Sequence, residues 1–200
     1  MLNALQNIMN KDAIVTKISS TLLELPPDCQ RELADQAQIL SFPKKTCIVK
    51  EGQYADRVYF IISGSARAYY LKDGQDITDW FAFENEFITS IQSFFSEIPS
   101  PHYVETIEAA QILTIDRATV HYLSDKYRAF ERLHKLVITQ TMLQLQQRIV
   151  SMQFETAQQK YINLLNVMPD IELRVPLIHI ASYLGMTIET LSRIRRKNLI

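Results

Sequence analysis

Apolar and polar positions change period along the chain, and the first pattern, from about Leu40 to Ile115, is that of short strands. Ser63-Gly64 separates two of the runs, and Asp73-Gly74 marks a tight hairpin. Aromatic and β-branched residues predict strands at Arg57–Ile62, Ser65–Leu71, Thr78–Phe83, Val104–Glu108 and Ile112–Ile115. Such spacing predicts an antiparallel β-roll of jelly-roll type. Residues 12–39, before the roll, have a helical pattern with Pro26-Pro27 at the start of one helix.

One long helix without glycine or proline is predicted from Ala129 to Phe154. Its apolar residues alternate in steps of four and three, the spacing of a coiled-coil seam, at Ile138, Met142, Leu145, Ile149 and Met152. A second stripe repeats every seven residues at Leu136, Leu143 and Val150. Two apolar faces need two partners, which we expect to be the roll and the same helix of a second subunit. The alternative is a core helix buried within one domain.

The last thirty residues predict a helix-turn-helix between Leu177 and Lys197. Ala181 is small enough for two helices to cross, Gly185 permits the positive φ of the turn, and Thr187 is a natural N-cap for the second helix. We expect Leu191 and Ile194 to anchor that helix on Ile178, Ala181 and Leu184. The residues then left facing outward, on the side that would enter a major groove, are Ile188, Glu189, Ser192, Arg193 and Arg196.

The distribution of charge supports nucleic-acid binding at this end of the chain. All 200 residues together carry a net charge of −1, whereas residues 171–200 carry +3. A local excess of cations favours contact with phosphates. A helical bundle that never touches DNA is the alternative interpretation of the pattern, and the joint match of small residue, glycine, anchors and charge favours DNA binding.

Composition narrows the class of protein further. The chain is 47% apolar and 22% charged, which is typical of globular proteins. It has no apolar run of about 18 residues, as a membrane span needs, and no secretion signal at its start, so we expect a cytoplasmic protein without membrane contact. Cys29 and Cys47 are too few for a disulfide framework or a four-cysteine iron-sulfur cluster, and they lack the CxxC spacing of metal and redox sites.

A β-roll is also the scaffold of cupin-type metalloenzymes, which hold a metal through a closely spaced histidine pair and a carboxylate. His102, His121, His134 and His179 are scattered, and none has a second histidine nearby. The sequence contains no nucleophile elbow and no glycine-rich phosphate loop. We therefore expect no metal, no cofactor and no enzymatic activity.

A small roll, a long seam helix and a C-terminal helix-turn-helix, in that order, resemble the Crp/Fnr family of bacterial transcription regulators from about Leu22 to Lys197. Its landmarks are Lys50–Gly52, Val58–Ala66 and Glu189–Arg193, while Ala157–Tyr161 with His179–Gly185 resembles a Bacteroidetes-type subgroup. The resemblance implies an α+β fold with a cyclic-nucleotide-binding-like sensor domain over residues 1–128, a dimerisation helix over 129–154 and a DNA-binding domain over 155–200. It also implies a homodimer on a pseudo-palindromic promoter site, with RNA polymerase as a further partner.

Residue by residue, the resemblance assigns Glu189 and Arg193 as base readers. Ile188 stands where the family often has arginine, so we expect apolar contact with a thymine methyl there. The full predicted DNA-binding set is Thr187, Ile188, Glu189, Thr190, Ser192, Arg193, Arg196 and Lys197. Family members usually continue into a β-hairpin wing, which is missing before Ile200, so we expect affinity to come from the helices and the segment before them.

The sensor departs from the family in its ligand cassette. Members that bind cyclic AMP have a Gly-Glu-Leu sequence and an Arg-Ser pair, which hold the ribose and the cyclic phosphate. Alignment through Phe87-Ile88 puts Thr89, Ser90 and Ile91 at the first three positions, and alignment back from Ile112–Ile115 puts Ser100 and Pro101 at the pair. We therefore expect no cyclic AMP or cyclic GMP to bind, unless Arg67 points into the roll and replaces the missing guanidinium.

The segment from Ser93 to His102 occupies the place of the cassette, and we expect it to be an apolar, proline-stiffened loop. Phe94 and Phe95 are expected to plug the pocket, the alternative being a pocket for a less anionic ligand. The effector is left unidentified. For the whole chain, the alternative to a regulator is a ligand-binding or protein-interaction roll with a degenerate helix-turn-helix.

Overall fold

A computed structural model describes the backbone of residues 2–198 and the side chains of residues 11–196. Two sheets with antiparallel strand pairing combine with helices at both ends of the chain, which confirms the predicted α+β fold. The chain forms two compact units, one of residues 1–68 and 81–139 and the other of residues 69–80 and 140–200. In the described part of the chain, no helix is long and apolar enough to cross a membrane.

Each sheet of the roll contains four strands. The first has the order β1 (Gln38–Phe42), β8 (Ala110–Asp116), β3 (Arg57–Ser63) and β6 (Phe87–Ile88). The second has the order β2 (Cys47–Val49), β7 (Tyr103–Thr106), β4 (Ala66–Lys72) and β5 (Gln75–Ala82). The five predicted strands are all present, within one to three residues at each end. Three strands were not predicted individually: the short β2 and β6, and β1, whose start lies in the region for which the pattern predicted helix.

Helices of the first unit cover one side of the roll with apolar residues. They are α1 (Leu2–Thr21), α2 (Pro27–Gln36), α3 (Ile91–Ser96), α4 (Arg117–Lys126) and the first part of α5 (Arg128–Phe154). Their core joins Val15, Leu33 and Leu123 from helices to Leu113 of β8, each at most 1% exposed. Complete burial of such side chains contributes about 1.5–3 kcal/mol each. As predicted, Pro27 opens α2.

The second unit contains the C-terminal helices. They are α6 (Ala157–Val167), α7 (Ile171–Arg174), α8 (Leu177–Tyr183) and α9 (Ile188–Asn198), packed with the second part of α5. Thr156 starts α6 with a capping box, because its hydroxyl accepts from the backbone of Gln159 while the Gln159 side chain accepts from the backbone of Thr156. Residues 69–80, which form most of the β4–β5 hairpin, also belong to this compact unit. The predicted boundaries at residues 128 and 154, between sensor domain, dimerisation helix and DNA-binding domain, stay a prediction.

Candidate functional site

The two helices predicted as a helix-turn-helix, α8 and α9, and the turn between them form with the local geometry that the sequence predicted. Gly185 has a φ of +64°, which only glycine adopts without strain, and it redirects the chain after α8. Thr187 then caps α9, because its hydroxyl accepts a hydrogen bond from the backbone N–H of Thr190 at 3.2 Å. A Cβ on Gly185 would meet only the terminal methyl group of Met152, the flexible end of an α5 side chain that can move, so the positive φ is the main reason for glycine there.

Four of the five residues predicted to anchor the two helices on each other are buried, and helix geometry explains the exception. Ala181 and Leu184 of α8, and Leu191 and Ile194 of α9, are buried as predicted. Ile178, predicted as a third anchor on α8, is 58% exposed, and Ile180, with no exposure, takes that role. Repeated steps of three residues rotate about 60° backwards around a helix per step, so Ile178 leaves the stripe on which Ala181 and Leu184 lie.

The face of α9 opposite its buried anchors is open to solvent. Glu189, Arg193 and Arg196 are exposed, Ile188 is 39% exposed, and Thr190 and Ser192 are half-buried. Thr187, at the start of the helix, is exposed as well. Lys197 was also predicted to contact DNA, and its side chain lies outside the described residues.

Glu189 lies in the first turn of α9, where its charge is stabilised. Hydrogen bonds from its own backbone amide and from the Thr187 hydroxyl lower the pKa of the Glu189 carboxyl below its usual value. The positive end of the helix dipole acts in the same direction. Glu189 is therefore a carboxylate, and a hydrogen-bond acceptor, throughout the neutral range.

Arg195 faces the protein, and sequence reasoning missed its role. Its guanidinium binds both carboxylate oxygens of Glu172 on α7, with Nε 2.6 Å and a terminal nitrogen 3.3 Å away. Tyr161 of α6 donates its hydroxyl to the same carboxylate at 2.7 Å, and burial together with Glu172 raises the pKa of Tyr161. One of the cations counted in the basic C-terminus is thus neutralised, and it fixes α9 to α6 and α7.

The predicted seam of α5 is largely uncovered in the single chain. Met142 and Ile149 are each 58% exposed, while Leu145 is half-buried. Exposure continues across Ile138, Met152, Leu143 and Val150, all above 40%. Leu136, nearer the start of the helix, is half-buried. The seam and the second stripe, on another face of the helix, are therefore both open to water, and exposed apolar faces of this kind are typical of interfaces.

The positions aligned with the cyclic-nucleotide cassette satisfy one another. Ser90 and Ser100 are buried, and their hydroxyl oxygens lie 2.8 Å apart. The backbone N–H of Ser100 donates to the carbonyl of Gln53, and its own carbonyl accepts from Gly52. Thr89 donates its hydroxyl to the carbonyl of Arg57 at 2.7 Å. These groups are occupied by the protein itself.

Two further cassette positions, Ile91 and Pro101, offer no hydrogen-bond donor to a phosphate from their side chains, Ile91 being exposed and Pro101 half-buried. Arg67 is buried at 2% exposure, and its guanidinium lies 3.5 Å from the carboxylate of Glu105 on β7. A carboxylate at that distance offsets the positive charge that an anionic ligand would need. The residues present therefore do not fit a cyclic phosphodiester.

The segment from Ser93 to His102 is not a loop throughout, because its first residues belong to α3. Phe94 is buried in the cluster formed by the helices of the first unit. Phe95 is 49% exposed and stacks on the ring of His134 with centroids 6.1 Å apart, so the prediction that it plugs the roll is wrong. Burial, with a smaller effect of His121, lowers the pKa of His134.

Within the described residues, no group of three or more His, Cys, Asp or Glu side chains is arranged to hold a metal ion. His134 contacts the ring of Phe95 and lies near enough to His121 for their charges to interact.

A family model for the cyclic nucleotide-binding domain matches residues 39–127, which contain the roll and α4. In fold, the chain is similar to FixK2 from Bradyrhizobium japonicum, with a TM-score of 0.71, 20% identity and coverage of 80% of this chain and 83% of that one. It is also similar to CLP from Xanthomonas campestris, a regulator responsive to c-di-GMP (TM-score 0.69, 15% identity, 87% and 92% coverage).

A regulator of the Crp/Fnr family from Eubacterium rectale is similar as well, with a TM-score of 0.67, 17% identity and coverage of 87% and 83%. A search of curated protein sequences found no match. Residues 39–127 are thus similar to the cyclic nucleotide-binding domain, and the chain shares the fold of these regulators. Membership of the Bacteroidetes-type subgroup stays a prediction.

Proposed function

We propose that this chain is a DNA-binding transcriptional regulator of the Crp/Fnr type, which acts as a homodimer on a pseudo-palindromic promoter site without requiring cyclic AMP. The observation that carries the proposal is the open face of α9, where Glu189, Arg193 and Arg196 are exposed opposite four buried anchors. Polar and cationic side chains on the second helix of such a motif are placed to enter a major groove. The regulator binds DNA and catalyses no reaction.

Arg193 and Glu189 are the proposed base readers. The guanidinium of Arg193 suits the paired O6 and N7 acceptors of guanine, and the Glu189 carboxylate accepts from the amino group of cytosine. Ile188, 39% exposed, supplies apolar contact for a thymine methyl. Arg196, the half-buried Thr190 and Ser192, and Lys197 are proposed to contact phosphates, which fix position without specifying sequence.

Dimerisation supports this function through geometry. Two recognition helices must lie about 34 Å apart to meet successive major grooves on one side of the duplex. The apolar face of α5 around Met142 and Ile149 is the proposed interface, because it is open in the single chain and lies on the helix that leads into the second unit. RNA polymerase is the further partner that such a regulator would help or hinder.

Replacing Arg193 by Ala is expected to weaken binding to an operator by about 1–3 kcal/mol, or roughly 5- to 150-fold, and to relax specificity at one base pair per half-site. Fluorescence anisotropy with a labelled duplex, and with variants of it at each base pair, measures both effects. Arg31→Ala is the matched control, because it removes the same charge from an exposed position on α2. Equal affinities for Arg193→Ala and the unmodified protein would remove Arg193 from the reading face.

Cyclic AMP and cyclic GMP are expected not to bind. A buried cyclic phosphodiester without a guanidinium partner is unfavourable by several kcal/mol, and Arg67 is already beside Glu105. Calorimetry with about 1 mM nucleotide detects even millimolar affinity. Heats that saturate during the titration would contradict the expectation, and their loss in an Arg67→Gln variant would then identify Arg67 as the phosphate ligand.

A further inference from the structure

The β4–β5 hairpin is joined to α8 by hydrogen bonds. It lies in the same compact unit as the C-terminal helices, although its strands begin and end in the roll. Six residues take part: Asp76, Thr78 and Asp79 of β5, Arg148 of α5, and Ser182 and Tyr183 of α8. We refer to these six residues as the hairpin latch.

Arg148 is the centre of the hairpin latch. One terminal nitrogen lies 2.6 Å from the Asp79 carboxylate, and the other donates to the backbone carbonyls of Thr78 at 3.1 Å and Tyr183 at 3.2 Å. The same guanidinium lies over the Tyr183 ring, 4.7 Å from its centroid. A single side chain thus joins three elements, β5, α5 and the last residue of α8. The planar fork of arginine makes this possible, whereas lysine would supply one point charge.

Ser182 adds a second, independent connection. Its hydroxyl accepts from the backbone N–H of Thr78 at 2.8 Å and donates to the carbonyl of Asp76 at 2.8 Å. One hydroxyl therefore pairs with both backbone groups that β5 presents to α8. Because donor and acceptor are satisfied together, the hydroxyl specifies the register between strand and helix as well as their contact.

The hairpin latch leaves the reading face of the motif open. None of its contacts involves Glu189, Arg193 or Arg196, which stay exposed on α9. The strands that carry it are firmly anchored in the roll, since Ala66 of β4 and Ala82 of β5 have no exposed surface. A helix held in this way loses less conformational freedom when it docks on DNA than a helix held by its linker alone.

We infer that the hairpin latch positions the helix-turn-helix for DNA binding, with Arg148 and Ser182 as positioning residues that act through α8. This inference rests on the proposed function, which it deepens by assigning part of the DNA affinity to a hairpin of the sensor roll. The β5 residues that hold α8 and those buried in the roll are adjacent along one strand.

The test measures operator binding by full-length Ser182→Ala and Arg148→Gln, with a duplex enriched from a random library by the unmodified protein as probe. Each variant is expected to bind about 5- to 20-fold more weakly. Without the hairpin latch α8 keeps more conformational freedom in the free protein, and it must lose that freedom on binding. Ser182→Ala deletes a single oxygen, so it tests the inference even if Arg148→Gln fails to fold. Gln147→Ala, at the exposed neighbouring position on α5, is the matched control and is expected to bind normally.

Two further readouts separate positioning from direct contact. The slope of log affinity against log salt is expected to stay unchanged in Arg148→Gln, whereas loss of a phosphate contact would reduce it by about one. Combining Asp79→Asn with Arg148→Gln is expected to weaken binding no more than Arg148→Gln alone, because the contact between these two residues is already lost in that variant. Light scattering is expected to report the same oligomeric state for all variants.

Unchanged affinity in Ser182→Ala and in folded Arg148→Gln, beside normal binding by the unmodified protein, would overturn this inference alone. Tighter binding by the variants would also overturn it, because the hairpin latch would then restrain the motif. A reduced salt slope would make Arg148 a phosphate ligand instead of a positioning residue. Failure of the unmodified protein to enrich any duplex would overturn the proposed function, and this inference with it.

Discussion

An Ile149→Glu variant is expected to be monomeric at micromolar concentration and to lose at least about 100-fold in operator affinity. Ile149 is 58% exposed in the single chain, so a carboxylate there leaves each protomer folded. In a dimer built on α5, two such carboxylates would face each other in an apolar interface without partners, which costs several kcal/mol. A monomer would then reach only one half-site. Light scattering measures the mass, and anisotropy with a labelled operator measures the affinity.

Gln147→Glu is the matched control for this variant. It introduces the same charge on the same helix, about 200° around the axis from Ile149, at a position that is also exposed. We expect it to remain dimeric and to bind the operator normally. A dimer that survives Ile149→Glu, or one that is lost equally in Gln147→Glu, would show that the seam is not the interface.

Gly64→Ala is expected to have the largest effect on stability, destabilising the roll by about 3 kcal/mol or more. Gly64 follows β3 with a φ of +83°, a conformation that L residues rarely adopt. A Cβ there would collide with the carbonyl oxygen of Ala109 and would lie 2.9 Å from the Cα of Ala110. Both obstacles are backbone atoms, so no rotamer change relieves them. The measurement is the shift in the denaturant midpoint for unfolding of the full-length protein.

Gly74→Ala separates the two causes of that destabilisation. Gly74 has a similar φ, +77°, but nothing lies within 4 Å of a Cβ placed there. It is therefore expected to lose only the conformational part, about 1 kcal/mol. Equal midpoints for Gly64→Ala and Gly74→Ala would mean that the close approach of Ala109 does not contribute.

Local signals made much of the fold predictable from the sequence. The strands around Arg57–Ile62 and Ile112–Ile115 were found because runs of aromatic and β-branched residues favour strands. The bounds of α5 were within one residue of prediction, since the chain has no breaker between Ala129 and Phe154. The turn at Gly185 and the cap at Thr187 depend on four or five neighbouring residues, and both formed as predicted.

Contacts between distant parts of the chain were not predictable in the same way. Arg195 is one of several arginines in a basic segment, and the neighbouring sequence does not indicate that Glu172 binds both Arg195 and Tyr161. Ser182 and Arg148 contact β5 across 104 and 70 positions, respectively. The only sequence signal was the choice of polar residues where α8 could have been apolar. Ile178 was wrongly predicted as an anchor, because it comes six residues before Leu184 and so lies about 120° away from it around the helix.

The cassette illustrates a further limit of reading from sequence. Alignment identified Ser90 and Ser100 as departures from cyclic-AMP-binding relatives, and Arg67 was considered as a substitute for the missing guanidinium, but the sequence could not say where their polar groups lie. Ser90 and Ser100 bind each other, and Arg67 is beside Glu105. Phe94 and Phe95, adjacent and chemically alike, differ completely in burial, because successive side chains on α3 point in directions about 100° apart.

Selection from a library of random double-stranded DNA with the unmodified full-length protein, followed by sequencing of the bound fraction, tests the central claim most directly. The account predicts enrichment of a two-fold symmetric motif, with half-sites about 10–10.5 bp apart from centre to centre, and loss of that motif in an Arg193→Ala, Glu189→Ala double variant. Enrichment of no motif, or of a motif that the double variant selects equally well, would contradict it.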